Sequence, residues 1–173
     1  MYYLDESGFS PSLAVTSSWS LPGRRKQIPY ENPRGRRVNV MAAYAPYGPG
    51  AELLWQTEAR TLKAEDLVAF LQRLVRAGEP TVVVLDNGSI HVSNVVKQAC
   101  EWLARQGIEL FRLPSYSPEL NAIERVFRAI KHYEMPERTY PTTDELTAAV
   151  NAAFARTAAR AGAGSGQELR LAA

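Results

Sequence analysis

Cysteine and histidine are nearly missing: the 173 residues hold one Cys, Cys100, and two His. A lone cysteine excludes an internal disulfide framework and suits a reducing cytoplasm, and so few soft ligands disfavour a zinc site. No apolar run approaches the roughly 20 residues that a membrane helix needs. The opening MYYLDESGF lacks the basic and apolar regions of a signal peptide. No internal repeat or domain boundary is visible either. One metal chemistry survives these absences, a hard-cation site built from carboxylates.

Composition is that of an ordinary soluble domain, 46% hydrophobic and 22% charged. The net charge of +2 hides an uneven distribution. GRRKQIPYENPRGRR sets Arg24, Arg25, Lys26, Arg34, Arg36 and Arg37 against the single acid Glu31. Proline and glycine make this a loop or hairpin extension. It is either a solvated loop or a surface that contacts phosphates.

Apolar/polar alternation predicts early strands in YYL, SLAVTSSWS, RVNVMAAY (with Val38, Val40 and Ala42 on one face) and AELLWQTEA, an antiparallel meander. Leu67, Phe70, Leu71, Leu74 and Val75 have helical spacing, in a helix expected to end near Gly78. TVVVL reads as a strand buried on both faces. Val95, Val96, Ala99, Cys100 and Leu103 make the next helical stripe, which places Cys100 in the core. IELFRL reads as another strand. PELNAIERVFRAIKHY and the segment from TTDEL read as helices, with Thr142 and Glu145 at capping-box spacing. The class is α/β, a mixed sheet with helices on its faces in three layers. The tail after Arg160 is small and polar enough to be mobile.

Asp5 follows YYL and Asp86 follows TVVVL, each before a small-residue turn, DESG and DNGS. Ligands of open α/β sheets bind at such strand ends. Neighbouring aspartates there repel unless protonated, separated or bridged by a cation, for which Mg²⁺ is suited. Either tetrapeptide can equally be only a turn. A third acid lies in LPSYSPELNAIERVF. With Ser117 as N-cap and Pro118 first in the helix, Leu120, Ile123, Phe127 and Ile130 form its apolar stripe. Glu124 borders that stripe, while Glu119 lies about 140° away in the first turn. Glu124 can reach the sheet's crevice or pair with Arg128.

YLDESGF, VVVLDNGSIH and LPSYSPELNAIERVF, in this order, resemble the three motifs of DDE transposases, specifically the bacterial insertion-sequence branch of the mariner-type superfamily. In the third motif Pro114, Tyr116, Ser117, Pro118, Leu120, Asn121, Ile123 and Glu124 all match. The resemblance implies a ribonuclease-H-like fold over residues 1–160, a flexible tail over 161–173, and DNA strand cleavage and transfer with two Mg²⁺ or Mn²⁺ ions. By the same match Asp5, Asp86 and Glu124 are metal ligands, Glu119 is not, and Asn87, His91 and Asn121 shape the site. His91 is equally readable as a structural histidine. Ser7 and Ser89 are turn residues, since this chemistry needs no protein nucleophile. The basic segment from Arg24 to Arg37 becomes a DNA-contacting arm, with Trp19 and Tyr30 beside it able to stack on bases.

Two departures shape the expectations. Relatives commonly carry a helix-turn-helix region ahead of the first aspartate, and here that aspartate is residue 5. DNA reading is therefore expected from a separate polypeptide, with homodimerisation open and the nucleoid as location. Between Asp86 and Glu124, 37 residues intervene, slightly more than is common in the branch. Two other functions stay open: a silent remnant that binds DNA or a partner, and a hydrolytic nuclease of the same fold.

Overall fold

A computed structural model describes residues 1–12, 19–28, 35–47, 51–76, 78–115, 117–136 and 138–163. Strands β1 (Tyr2–Phe9), β2 (Val38–Ala45) and β3 (Glu52–Glu58) form the expected antiparallel meander. The strand expected in SLAVTSSWS falls largely on residues outside the description. Helix α1 (Ala64–Gln72) leads to β4 (Thr81–Leu85), and α2 (Asn94–Arg105) to β5 (Ile108–Arg112). α1 stops six residues short of Gly78, with Leu74 still buried in the following turn. A 3-10 turn (Pro118–Leu120), α3 (Ala122–Ala129), a π turn (Ile130–Glu134) and α4 (Thr143–Ala163) complete the chain. The order across the sheet is β3-β2-β1-β4-β5, and β4 and β5 run parallel to β1.

Alternation along the strands divides the core into two. Met41, Ala43 and Ala45 join Tyr2 and Leu4 under α1 and α2, whereas Val38, Val40, Ala42 and Phe9 pack under α3 and α4. The mixed sheet with helices on both faces is thus the arrangement read from the sequence. Cys100 is partly buried against the α1/α2 core.

The Phe154 ring fixes α3 and α4 to the sheet. Its centre lies 6.0 Å from that of Phe9, 5.7 Å from that of Trp55 and 6.3 Å from that of Phe127. Trp55 Nε1 donates to Asn151 Oδ1 at 2.8 Å, which ties β3 to α4. Truncating Phe127, one turn beyond Glu124, would cost roughly 3–5 kcal/mol and loosen α3 on the sheet. At the start of α4 the Glu145 N–H donates to Thr142 Oγ1 at 3.2 Å, as the capping spacing predicts. α4 reaches Ala163, three residues into the expected tail; residues 164–173 are outside the description. Among the described residues no helix is long and apolar enough to cross a membrane.

Candidate active site

β4 delivers Asp86 to the carboxyl end of the sheet, as its buried β-branched run predicts. The chain then turns tightly: the Gly88 N–H donates to Asp86 Oδ1 at 2.7 Å. Asn87 Nδ2 donates to the Leu113 carbonyl at 2.7 Å, which ties this turn to the end of β5. A Cβ on Gly88 would stand 3.0 Å from Asp86 Oδ1, so a larger residue here would push that carboxylate by a few tenths of an ångström. Ser93 caps α2 by accepting from the Val96 N–H at 3.3 Å. That cap fixes the short segment carrying His91.

His91 is fully buried, with Nδ1 2.6 Å from Asp86 Oδ1 and Nε2 2.9 Å from Glu6 Oε1. Both partners are acceptors, so both ring nitrogens must carry hydrogen, which makes the ring an imidazolium. Burial pulls its pKa down, but the hydrogen bond it donates to Glu6 and the charges of Glu6 and Asp86 outweigh it and lift the ring to about 9. Asp86 Oδ1 thus serves Gly88 and His91, while Oδ2 makes no hydrogen bond among the described residues.

Asp5 does not end its strand. β1 runs on through the expected DESG turn to Phe9, because β2 pairs with it from Tyr3↔Tyr44 to Phe9↔Val38. β4 pairs with β1 only at Tyr2↔Val83 and Tyr3↔Val84. That register, carried two residues on, sets Asp5 opposite Asp86. Asp5 therefore lies at a crevice for a different reason: its neighbour strand has stopped. Its Oδ1 accepts from the Glu6 N–H at 2.8 Å. Burial above all, and then Asp86, Glu6 and Glu124, push its carboxyl up to about 7, against the lowering effect of that N–H.

The helix expected from Pro118 is broken. After the 3-10 turn Asn121 adopts an extended backbone, φ −90° and ψ 102°, and α3 starts at Ala122. This rephases the segment: Leu120, expected in the buried stripe, is 51% exposed, while Ile123, Phe127 and Ile130 are buried as predicted. Asn121 stands at the N-cap but does not cap. Its Nδ2 donates to Asp5 Oδ2 and to the Leu4 carbonyl, each at 3.3 Å, and its buried Oδ1 has no hydrogen-bond partner among the described residues. A cap is worth about 1 kcal/mol, so the side chain is diverted to the acid at a cost. Glu124, in the first turn of α3, is exposed, and its carboxylate makes no hydrogen bond or ion pair among the described residues, Arg128 included. It is near enough to oppose ionisation of Asp5.

Ligand-type atoms of Asp5, Asp86 and His91 lie within 4.8 Å of one another. With both ring nitrogens committed to carboxylates, His91 acts as a bridge, and the carboxylates of Asp5 and Asp86 are the groups left with oxygens to offer a cation. Asn87 points to β5 and not to the acids. Glu6 escaped the sequence reading; its only signal was its place next to Asp5. Arg24, Arg25 and Lys26 are exposed in a segment without regular structure, and Trp19 beside them is 98% exposed. Arg36 donates to the Pro141 carbonyl and Arg37 lies over Gly8, while Arg34, Tyr30 and Tyr116 fall outside the description.

A family described as DDE superfamily endonuclease matches residues 1–147. No curated protein matches the chain. Among solved structures, a Mos1 transposase paired-end complex with left transposon end superposes with a TM-score of 0.63 at 16% identity, covering 95% of this chain and 52% of that one. The Mos1 mariner paired end complex with Mn gives 0.65 at 18%, covering 90% and 48%. The catalytic domain of Mos1 mariner transposase gives 0.54 at 16%, covering 84% and 81%. The chain spans about half the length of the Mos1 chains in the two complexes. The ribonuclease-H-like fold expected from the motifs is thereby shown.

Proposed function

The chain belongs to the DDE superfamily endonucleases, and on that premise we propose that it is the catalytic domain of an insertion-sequence transposase, cutting and joining DNA with divalent metal ions. The observation that carries this reading is that Asp5 and Asp86 offer ligand oxygens within 4.8 Å of each other, while burial first, and then the charges of Asp86, Glu6 and Glu124, push the Asp5 carboxyl up to about 7. Folding gains nothing from three mutually repelling acids; a divalent cation turns the repulsion into binding.

The residues fit such ions. Asp86 keeps one oxygen clear, Asp5 is backed by Asn121, and the unpaired Asn121 Oδ1 faces no competing donor. Asp5, Asp86 and Glu124 would hold two Mg²⁺ or Mn²⁺, with His91 and Glu6 steadying Asp86 from behind. When bound, the ions supply activation of a water or 3′-hydroxyl and stabilisation of the leaving oxygen at phosphorus. The chain itself orients the acids, excludes water behind Asp86 and gathers phosphates on its basic segment. Arg24, Arg25, Lys26, Arg34, Arg36 and Arg37 are the DNA-contacting set, with transposon-end and target DNA as partners. A helix-turn-helix polypeptide, a second copy of the chain and a nucleoid location complete the proposal.

Incubation with a pre-cut DNA end, a plasmid and Mn²⁺ tests it. Joined product is expected. Nicking without joining would instead identify a hydrolytic nuclease, and neither activity would leave a silent DNA-binding remnant.

A further inference from the structure

We propose that the Phe9 end of β1 is a second contact point for DNA, a phosphate site formed by Arg37 and Lys131; this deepens the cleavage reading and rests on it. β1 continues past the last residue paired with β4, so from Asp5 to Phe9 one of its edges has no paired strand among the described residues. Arg37 precedes Val38, the partner of Phe9, and its guanidinium occupies the space a Cβ on Gly8 would fill. Alternation turns that side of Gly8 away from the Asp5 face. On the Asp5 face Lys131, carried by the π turn, sets its Nζ 5.3 Å from the centre of the Phe9 ring. The two cations therefore straddle the strand end.

Lys131 also lines a pocket of about 160 Å³ with Gly8, Phe9 and Tyr140. Neither Arg37 nor Lys131 forms an ion pair among the described residues. Burial holds the Lys131 ammonium below its ordinary value, Glu124 opposes that effect and Arg37 adds to it. Half-buried Lys131 and exposed Arg37 lie on opposite faces of the strand end, and Arg37 adds to the effects that lower the Lys131 ammonium, so a phosphate backbone passing that end would offset both charges. A guanidinium offers paired donors to phosphate oxygens and an ammonium offers a point charge. Gly8 lies three residues from Asp5, roughly 10 Å along the strand, the reach of a few nucleotides of backbone. A nucleic acid strand running from the acids along the unpaired edge of β1 meets both cations.

The test measures binding of the full chain to a short fluorescent DNA duplex in Ca²⁺ over a range of salt concentrations. Lys131→Gln should weaken binding roughly three- to tenfold and lower the salt slope by about 0.9. Gly8→Ala should do much the same with no change of charge, because its methyl displaces only the flexible end of Arg37. Arg105→Gln, a charge change on α2, should leave affinity at the wild-type value for phosphate contacts made at β1. Wild-type affinity and slope in both Lys131→Gln and Gly8→Ala, with Mn²⁺-dependent nicking intact, would overturn the phosphate site alone. Loss of affinity in both variants of a protein that never nicks would uphold the phosphate site and overturn the cleavage reading.

Discussion

The strand-borne acids and the helix-borne acid are held in different ways. Asp86 accepts from the Gly88 N–H and from a buried His91 that is itself anchored on Glu6. Asp5 accepts from the Glu6 N–H and from Asn121. Glu124 rides on an exposed first turn with no such partner, behind a helix break at Asn121. On the proposed function the sheet would prearrange two ligands, and the third would be free to adjust when metal and DNA arrive. Prearranged ligands bind at low ordering cost, while an adjustable one lets a single site follow a changing phosphorus centre.

Substitution separates the two kinds of acid most sharply. Asp5→Asn, Asp86→Asn and Glu124→Gln should each reduce Mn²⁺-dependent nicking of plasmid DNA to background. Titration with Mn²⁺ in the absence of DNA should tell them apart: the two aspartate variants lose metal affinity, and Glu124→Gln keeps most of it. Equal losses in all three would erase the distinction drawn above.

The bridge behind Asp86 comes next. His91→Gln or Glu6→Gln should cost about 10- to 100-fold in metal affinity or activity, as groups orienting a metal ligand do. The loss should appear as a higher Mg²⁺ concentration for half-maximal nicking. A changed rate at saturating Mg²⁺ with an unchanged metal requirement would argue against a positioning role.

Metal-free stability should depend on pH through both regions of charge. Asp5, raised from 3.8 to about 7, keeps its proton in the folded state where the unfolded chain has lost it, so stability falls as pH rises from about 4 to 7. His91, raised from 6.5 to about 9, contributes stability that is complete below about 6.5 and is lost as pH rises through 9. Melting temperature without metal should therefore decline steadily across this range, by a few degrees per kcal/mol. In Asp5→Asn the lower part of the decline should vanish.

Much of this was legible in residue order. Alternation in Val38, Val40 and Ala42 gave the correct face of β2, and the TVVVL run gave the strand that ends at Asp86. Asp5 was placed at the site for the wrong local reason. Ser7 and Gly8 favour a turn, yet pairing with β2 along the whole strand overrides that preference, and no local pattern reports it. The break at Asn121 likewise leaves no mark on the spacing of apolar residues, so Leu120 was assigned to a stripe it does not join. The contact between Glu6 and His91 spans 85 residues and depends on the topology that brings β1 beside β4.

The smallest effect belongs to Glu119, which the broken helix keeps in the 3-10 turn. Glu119→Gln should leave nicking unchanged and alter stability by a few tenths of a kcal/mol at most. A loss of nicking equal to that in Glu124→Gln would show that the turn and not α3 supplies the third acid.

The most direct test of the central claim, that repelling carboxylates on the sheet form a metal site, is a melting curve at pH 8 with and without Mn²⁺, wild type beside Asp5→Asn. Wild type should melt several degrees higher with Mn²⁺, roughly 2–4 °C for each kcal/mol of binding. Asp5→Asn should melt above metal-free wild type and gain nothing from Mn²⁺. An unchanged wild-type melting temperature in Mn²⁺, or an equal gain in Asp5→Asn, would contradict the account.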